Sequence, residues 1–275
     1  MAYIEKAYHG INTIEHEVHF NGRYGAKGDK RAPKTKKTKE QIARQNQINK
    51  ENRVRRTIQA NFYPNDYWIT LQYPRGTRKP YTEVKQDFDR FVRRLRTEYK
   101  TRGEPLKMMY RIEIGKRGGI HCHILINRIW GADLLVSKCW NGKIYFTHLR
   151  EDEGYRKLAA YLTKDLPELE TRMYEQMGFL DQSDIKAMRK YGCSRNLKKP
   201  EPEVKRYKRR TVRKLLTQGP KARPGFAIDK ESIQVGINQY TGTSYFRYSE
   251  VRIKPLERRL KMPGKMQGKE KDVGS

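Results

Sequence analysis

Two apolar stretches, residues 106–114 and 120–127, flank the five-residue segment Gly115-Lys116-Arg117-Gly118-Gly119. Strand-length apolar runs on either side of a Gly-rich turn specify an antiparallel hairpin. No other feature constrains the fold as tightly. Alternation along the second strand, Ile120-His121-Cys122-His123-Ile124, sends both imidazoles to one face. With the hairpin symmetric about Arg117, Ile114 faces Ile120 and Glu113 falls opposite His121, with Cβ atoms about 5 Å apart. Glu113, His121 and His123 then share a face. One carboxylate and two neutral imidazoles are donors suited to Mg²⁺ or Mn²⁺, with positions left for water and a phosphate oxygen. A slip of one residue would send Glu113 to the opposite face. The bland alternative is a pair of solvent-facing histidines beside a basic turn.

The elements around the hairpin follow from pattern. Tyr67-Trp68-Ile69-Thr70-Leu71-Gln72-Tyr73 is aromatic and β-branched and stops at Pro74, as a strand does. Thr82 is placed to cap a helix running to about residue 99, with Val84, Phe88, Phe91, Val92 and Leu95 as its apolar stripe. Ser137, Trp140 and Gly142 fall in a less defined connection; residues 143–147 form a further strand and 151–166 a helix ended by Pro167. The expected fold class is α+β, a central antiparallel sheet with flanking helices.

A formal charge of +30 makes a polyanion the expected partner. Apolar residues make up 36%, which suits one modest core with basic extensions better than two full domains. The chain divides accordingly into a basic N-terminal arm and helix (1–60), a core (61–199) and a basic C-terminal extension (200–275). Residues 1–35 read as irregular and the Gly- and Lys-rich run 22–39 as a mobile arm. Thr38, three residues before Gln41, offers a capping box to a polar, basic helix over 38–60. Between Lys198 and Arg223 stand eleven Lys and Arg against two Glu, which reads as a basic helix or a charged linker. Residues 232–251 suggest a hairpin around Thr241-Gly242, and the last twenty read as disordered. Residues 205–214 and the helix over 38–56 concentrate enough charge to grip phosphates. Some of the 18 tyrosines are available to stack on bases.

Three cysteines, Cys122, Cys139 and Cys193, are odd in number and lack a CxxC pair. That argues against a disulfide framework or zinc ribbon and fits a reducing cytoplasm. No apolar run approaches transmembrane length and no secretory stretch opens the chain, so a membrane role is not expected.

Tyr161 and Lys164, in Ala159-Ala160-Tyr161-Leu162-Thr163-Lys164, share one face of the expected helix. A phenol with a pKa of about 10 is a poor nucleophile at neutral pH, but a metal that polarises a scissile phosphate compensates. Lys164 is suited to favour the phenolate or neutralise the leaving oxygen. Tyr155 competes as nucleophile, and packing of Tyr161 into a core is the non-catalytic alternative.

The order of these motifs resembles the HUH endonucleases: a strand with Thr70, a strand pair with Glu113 and His121-Cys122-His123, then Tyr161-x-x-Lys164. Within them it is most similar to single-tyrosine rolling-circle replication initiators of bacterial phages, plasmids and integrative elements. The motifs span residues 62–197, and Gly118-Gly119-Ile120-His121-Cys122-His123-Ile124-Leu125-Ile126 is the most specific part. Several families of the group place an acidic third ligand eight residues before the first histidine, where Glu113 stands. Ser194-Arg195-Asn196-Leu197 is similar to a segment common in phage and element initiators. Relatives with two catalytic tyrosines carry the second four residues on, where this chain has Asp165.

The resemblance implies a ferredoxin- or RRM-like nuclease core in which Tyr161 attacks DNA and becomes 5′-phosphotyrosyl-linked. It implies Glu113, His121 and His123 as ligands of Mg²⁺ or Mn²⁺, with Lys164 assisting. Single-stranded DNA or an origin hairpin would be the substrate. No GxxxxGK[ST] occurs, so a host helicase is needed, together with the host polymerase. Relaxases and transposases of the same superfamily, a non-catalytic nucleic-acid-binding protein, and a zinc nuclease that uses water are the competing classes.

Overall fold

The computed structural model describes residues 3–20, 38–115, 119–150, 152–166, 168–188, 190–237 and 243–261. In chain order they begin with β1 (Tyr3–His9), β2 (Thr13–Phe20), α1 (Lys39–Asn61), β3 (Tyr67–Gln72) and α2 (Tyr81–Thr101). Next come β4 (Met108–Ile114), β5 (Ile120–Ile126), α3 (Ala132–Cys139) and β6 (Lys143–His148). A 3-10 turn (Asp152–Tyr155) leads into α4 (Arg156–Thr163), followed by α5 (Glu168–Gln176), α6 (Gln182–Met188) and β7 (Gly192–Cys193). The chain continues through β8 (Glu203–Tyr207), α7 (Arg209–Gln218), β9 (Phe226–Ile237) and β10 (Ser244–Arg252). The result is the α+β class that the sequence implied, with two five-stranded antiparallel sheets.

The chain divides into two compact units, one drawn from residues 1–62, 151–161 and 198–256, the other from 63–150, 162–197 and 257–275. In the second, the strand order is β6-β3-β5-β4-β7. Its core lies between one sheet face and α2, whose Val84, Phe88, Phe91 and Leu95 are each at most 1% exposed. Burying each such side chain contributes about 1.5–3 kcal/mol. The apolar stripe is as the sequence indicated, but the start of the helix is not. Pro80 holds the N-cap position and Tyr81 opens the helix, so Thr82 lies inside it rather than capping it. Proline fixes the φ needed at a helix start without demanding a donor.

Ser137 belongs to helix α3, correcting the undefined connection expected there. The Ser194-Arg195-Asn196-Leu197 segment has a structural role. Ser194 Oγ accepts from Met108 N at 2.9 Å and Asn196 Nδ2 donates to Leu106 O at 3.1 Å, closing the outer edge of β4. Beside it, a Cβ at Gly192 would come within 2.1 Å of the Tyr110 ring, so no larger residue fits there. Asp66, fully buried, accepts from Arg258 Nη2 at 2.9 Å and from the backbone N–H groups of Tyr63 and Arg128. A segment expected to be loose is thereby anchored into this unit.

The first unit orders its strands β8-β1-β2-β10-β9. Residues 3–9 and 13–20 are thus paired strands, correcting the irregular N-terminus. Their alternation is hidden because many inward positions are ionisable. His16 is buried with Nδ1 2.7 Å from Glu5 and Nε2 3.2 Å from Glu250, and Tyr207 Oη donates to Glu5 at 2.6 Å. Glu15 is held by Arg55 and Arg56, whose guanidiniums approach at 2.8 and 3.0 Å. Helix α1 carries the expected Thr38–Gln41 capping box, and Val54 and Ile58 bury against this unit. Lys205 and Arg206 lie on strand β8, while residues 209–218 are helical. The 232–251 hairpin is present as the β9–β10 pair. Its turn, the run 22–37 and the last fourteen residues lie outside the described residues.

Candidate metal and nucleophile site

The hairpin register is the one read from the turn: Ile114 pairs with Ile120, Glu113 with His121 and Arg111 with His123. Gly115 N donates to Gly119 O at 2.7 Å to close the strands, while residues 116–118 lie outside the described residues. On the other side, β3 sets Gln72 opposite His121 and Thr70 opposite His123. Residues opposite one another share a face, so Glu113, both histidines, Thr70 and Arg111 all project to the side away from α2. Cys122, on the alternate face, is buried, and that burial pushes its thiol pKa up.

Within this cluster, His123 Nε2 stands 3.1 Å from Glu113 Oε1 and its Nδ1 stands 3.1 Å from Thr70 Oγ1. Trp68 stacks on the His123 ring at 5.7 Å and 11°, fixing its plane. Thr70 therefore orients a would-be ligand. A hydroxyl can donate or accept, so it serves either tautomer of His123. Burial, then the neighbouring His123, lowers the pKa of His121, with Glu113 opposing. The neutral imidazole is the form that binds a metal. The His121 ring lies against the turn: a Cβ at Gly115 would be 2.7 Å from its Cε1. Glycine at 115 is the space in which that ring sits.

The donor types and their shared face fit a divalent cation, and the Glu113–His123 pair is already at the spacing of two ligands on one ion. The third donor has not joined them. The His121 and His123 ring centroids are 6.2 Å apart. Among the described residues no three His, Cys, Asp or Glu side chains are arranged to hold a metal as they stand.

Lys164 is placed differently from its expected role. It follows the end of α4, and its Nζ stands 2.9 Å from Glu113 Oε2. Arg111, fully buried, donates from Nη1 to Leu162 O at 2.9 Å and lies 3.8 Å from the same Glu113 oxygen. Sequence reasoning missed Thr70 and Arg111 as parts of the cluster. The signal was available: both sit at the register positions opposite His123.

Tyr161 is the sixth residue of α4 and is half-buried. It closes the residue 151–161 segment of the first unit, whereas Glu113, His121, His123 and Lys164 belong to the second. Tyr155, the rival nucleophile, is 2% exposed, so its hydroxyl is inaccessible to a phosphate. It also holds a φ of 65°, a left-handed conformation costly for an aromatic residue.

The class set by fold and site is an α+β protein with an acid-and-histidine cluster on the open side of an antiparallel sheet. Residues 66–168 match the family model of the ORF2 type of replication-associated protein, a match covering over a third of the chain. This supports a replication-initiator family. No curated protein and no solved structure matches the chain. No helix among the described residues is long and apolar enough to cross a membrane.

Proposed function

We propose that this chain initiates rolling-circle replication by nicking one DNA strand at an origin in the cytoplasm of a bacterial host. The observation that carries the reading is the pairing of Glu113 with His121, with His123 3.1 Å from the same carboxylate. The replication-associated match across residues 66–168 supports it. We assign the chemistry to residues 61–199, and DNA contact to the basic segments on either side.

Glu113, His121 and His123 would hold Mg²⁺ or Mn²⁺. When bound, the ion supplies Lewis-acid stabilisation of charge on the scissile phosphate. Tyr161 Oη loses its proton and attacks phosphorus; an O–P bond forms and the P–O3′ bond breaks. The 5′ end stays on Tyr161, and the released 3′ oxygen takes up a proton to become the primer hydroxyl. Lys164 offsets charge at Glu113 before the ion arrives and is then available to the reacting oxygens. An unpaired strand or extruded hairpin is the substrate, since a duplex keeps its phosphate from a single tyrosine. A host helicase and polymerase extend the primer.

A second reading, a basic DNA-binding protein without cleavage, is favoured by the unclosed ligand set and by the ammonium already on Glu113. Incubation with a single-stranded DNA library and Mn²⁺ separates the two on a denaturing gel. Nicking with a covalent adduct, lost in Tyr161→Phe and His121→Ala, is the expected result. Tight binding without cleavage, the same in both variants, would leave the second reading.

A further inference from the structure

At one end of the first unit's sheet, Tyr207, Tyr3 and Phe20 stand in register across β8, β1 and β2. Tyr3 and Phe20 meet edge to face, with centroids 5.5 Å apart. Helix α7 crosses beside them. Its Val212 is buried in the unit's small core with Val18, Phe246 and Tyr248, which pins the helix. Arg210 and Arg213, three apart, are exposed, and among the described residues neither meets a carboxylate. These side chains, with the hydroxyl-bearing Thr243 and Ser244, line an open cleft of about 590 Å³. That volume falls within the roughly 300–1,000 Å³ typical of ligand sites.

We propose that this cleft is a second DNA-contact site, separate from the histidine cluster, which takes an unpaired base of single-stranded DNA. The base packs against Tyr3 and Phe20, and Arg210 and Arg213 hold the flanking phosphates. The proposal rests on the reading that DNA is the polymer this chain handles. Aromatic floor and cationic rim are the two halves of single-strand recognition: stacking accepts any base, and the arginines follow the backbone. A duplex keeps its base faces stacked on one another and so cannot fill the floor. Arginine rather than lysine on the rim suits planar, two-pronged contact with phosphate. The other basic residues expected to grip DNA are less available. Arg55 and Arg56 are engaged by Glu15 and Glu17, and Lys205 by Glu203 at 3.0 Å.

The test is fluorescence anisotropy of the full chain with a labelled oligothymidylate in EDTA, across a salt series. Arg210→Gln/Arg213→Gln is compared with Phe20→Leu, and folding is checked by circular dichroism. The double variant should lose about tenfold or more in affinity. Its log–log salt slope should fall by about 1.4, at roughly 0.7 per single-strand phosphate. Phe20→Leu should weaken binding about fivefold or more with the slope unchanged, and a 5-iodouracil oligonucleotide should photocrosslink to Tyr3 or Phe20. Wild-type affinity and slope in the double variant would overturn the proposal, as would an equal loss on duplex of the same length. If Phe20→Leu does not fold, the exposed arginine pair still decides. EDTA removes the cleavage chemistry, so the nicking reading can fail while this result stands.

Discussion

Lys164 Nζ lies 2.9 Å from Glu113 Oε2, while Oε1 of the same carboxylate lies 3.1 Å from His123 Nε2. One carboxylate is thus shared between an ammonium and an imidazole, and the ammonium competes for the charge a divalent ion would use. The Lys164 side chain is 42% exposed, so its grip contributes at most about 1 kcal/mol. Lys164→Met should therefore raise apparent Mn²⁺ affinity by roughly fivefold at most, read by calorimetry. In the same variant the nicking rate should fall, on the order of 10²-fold, if the lysine also serves the reacting oxygens. Unchanged values for both would remove Lys164 from the site.

Thr70 orients His123 through Nδ1. Partners of this kind typically set metal affinity by about 10–100-fold. Thr70→Val keeps the shape of the strand residue and removes only the hydroxyl. Metal affinity should drop by that range with little change in melting temperature. An unaltered affinity would make the contact incidental.

The Asp66–Arg258 pair joins residues 192 apart in sequence around a carboxylate with no exposed surface. Removing one partner of a buried pair leaves an uncompensated charge, at a cost of about 3–5 kcal/mol. Arg258→Ala should lower the thermal midpoint markedly, and adding Asp66→Asn should restore part of the loss. Equal stability of wild type and Arg258→Ala would show that the C-terminal segment is not anchored there.

In the first unit, burial raises the Glu15 pKa, but Arg55 and Arg56 outweigh it and hold the group below its ordinary 4.5. A lowered folded value means stability fully present above the unfolded pKa and lost as pH falls through the folded one. Acid titration followed by circular dichroism should show the unit loosening below pH 4.5. Glu15→Gln should flatten that dependence. A profile identical to wild type would contradict the assignment.

What was legible follows from where the partners lie. The hairpin register, the apolar stripe of α2 and the cap of α1 depend on residues within a few positions, so the sequence displays them. β1 and β2 were read as irregular because Glu5, Glu15 and His16 occupy buried positions. Their partners Tyr207, Arg55 and Glu250 are 40 to more than 200 residues away. A polar interior erases the alternation that identifies a strand. Glu113, His121 and His123 were brought onto one face by period and turn length alone. The Lys164 contact was not foreseeable, because it depends on how the chain leaves α4.

The most direct test of the central claim is mass mapping of the species trapped from single-stranded DNA and Mn²⁺. The account predicts a nucleotide-bearing peptide modified at Tyr161, absent in Tyr161→Phe and in Glu113→Gln. A nick with no protein-linked DNA, or an adduct that persists in Tyr161→Phe, would contradict it.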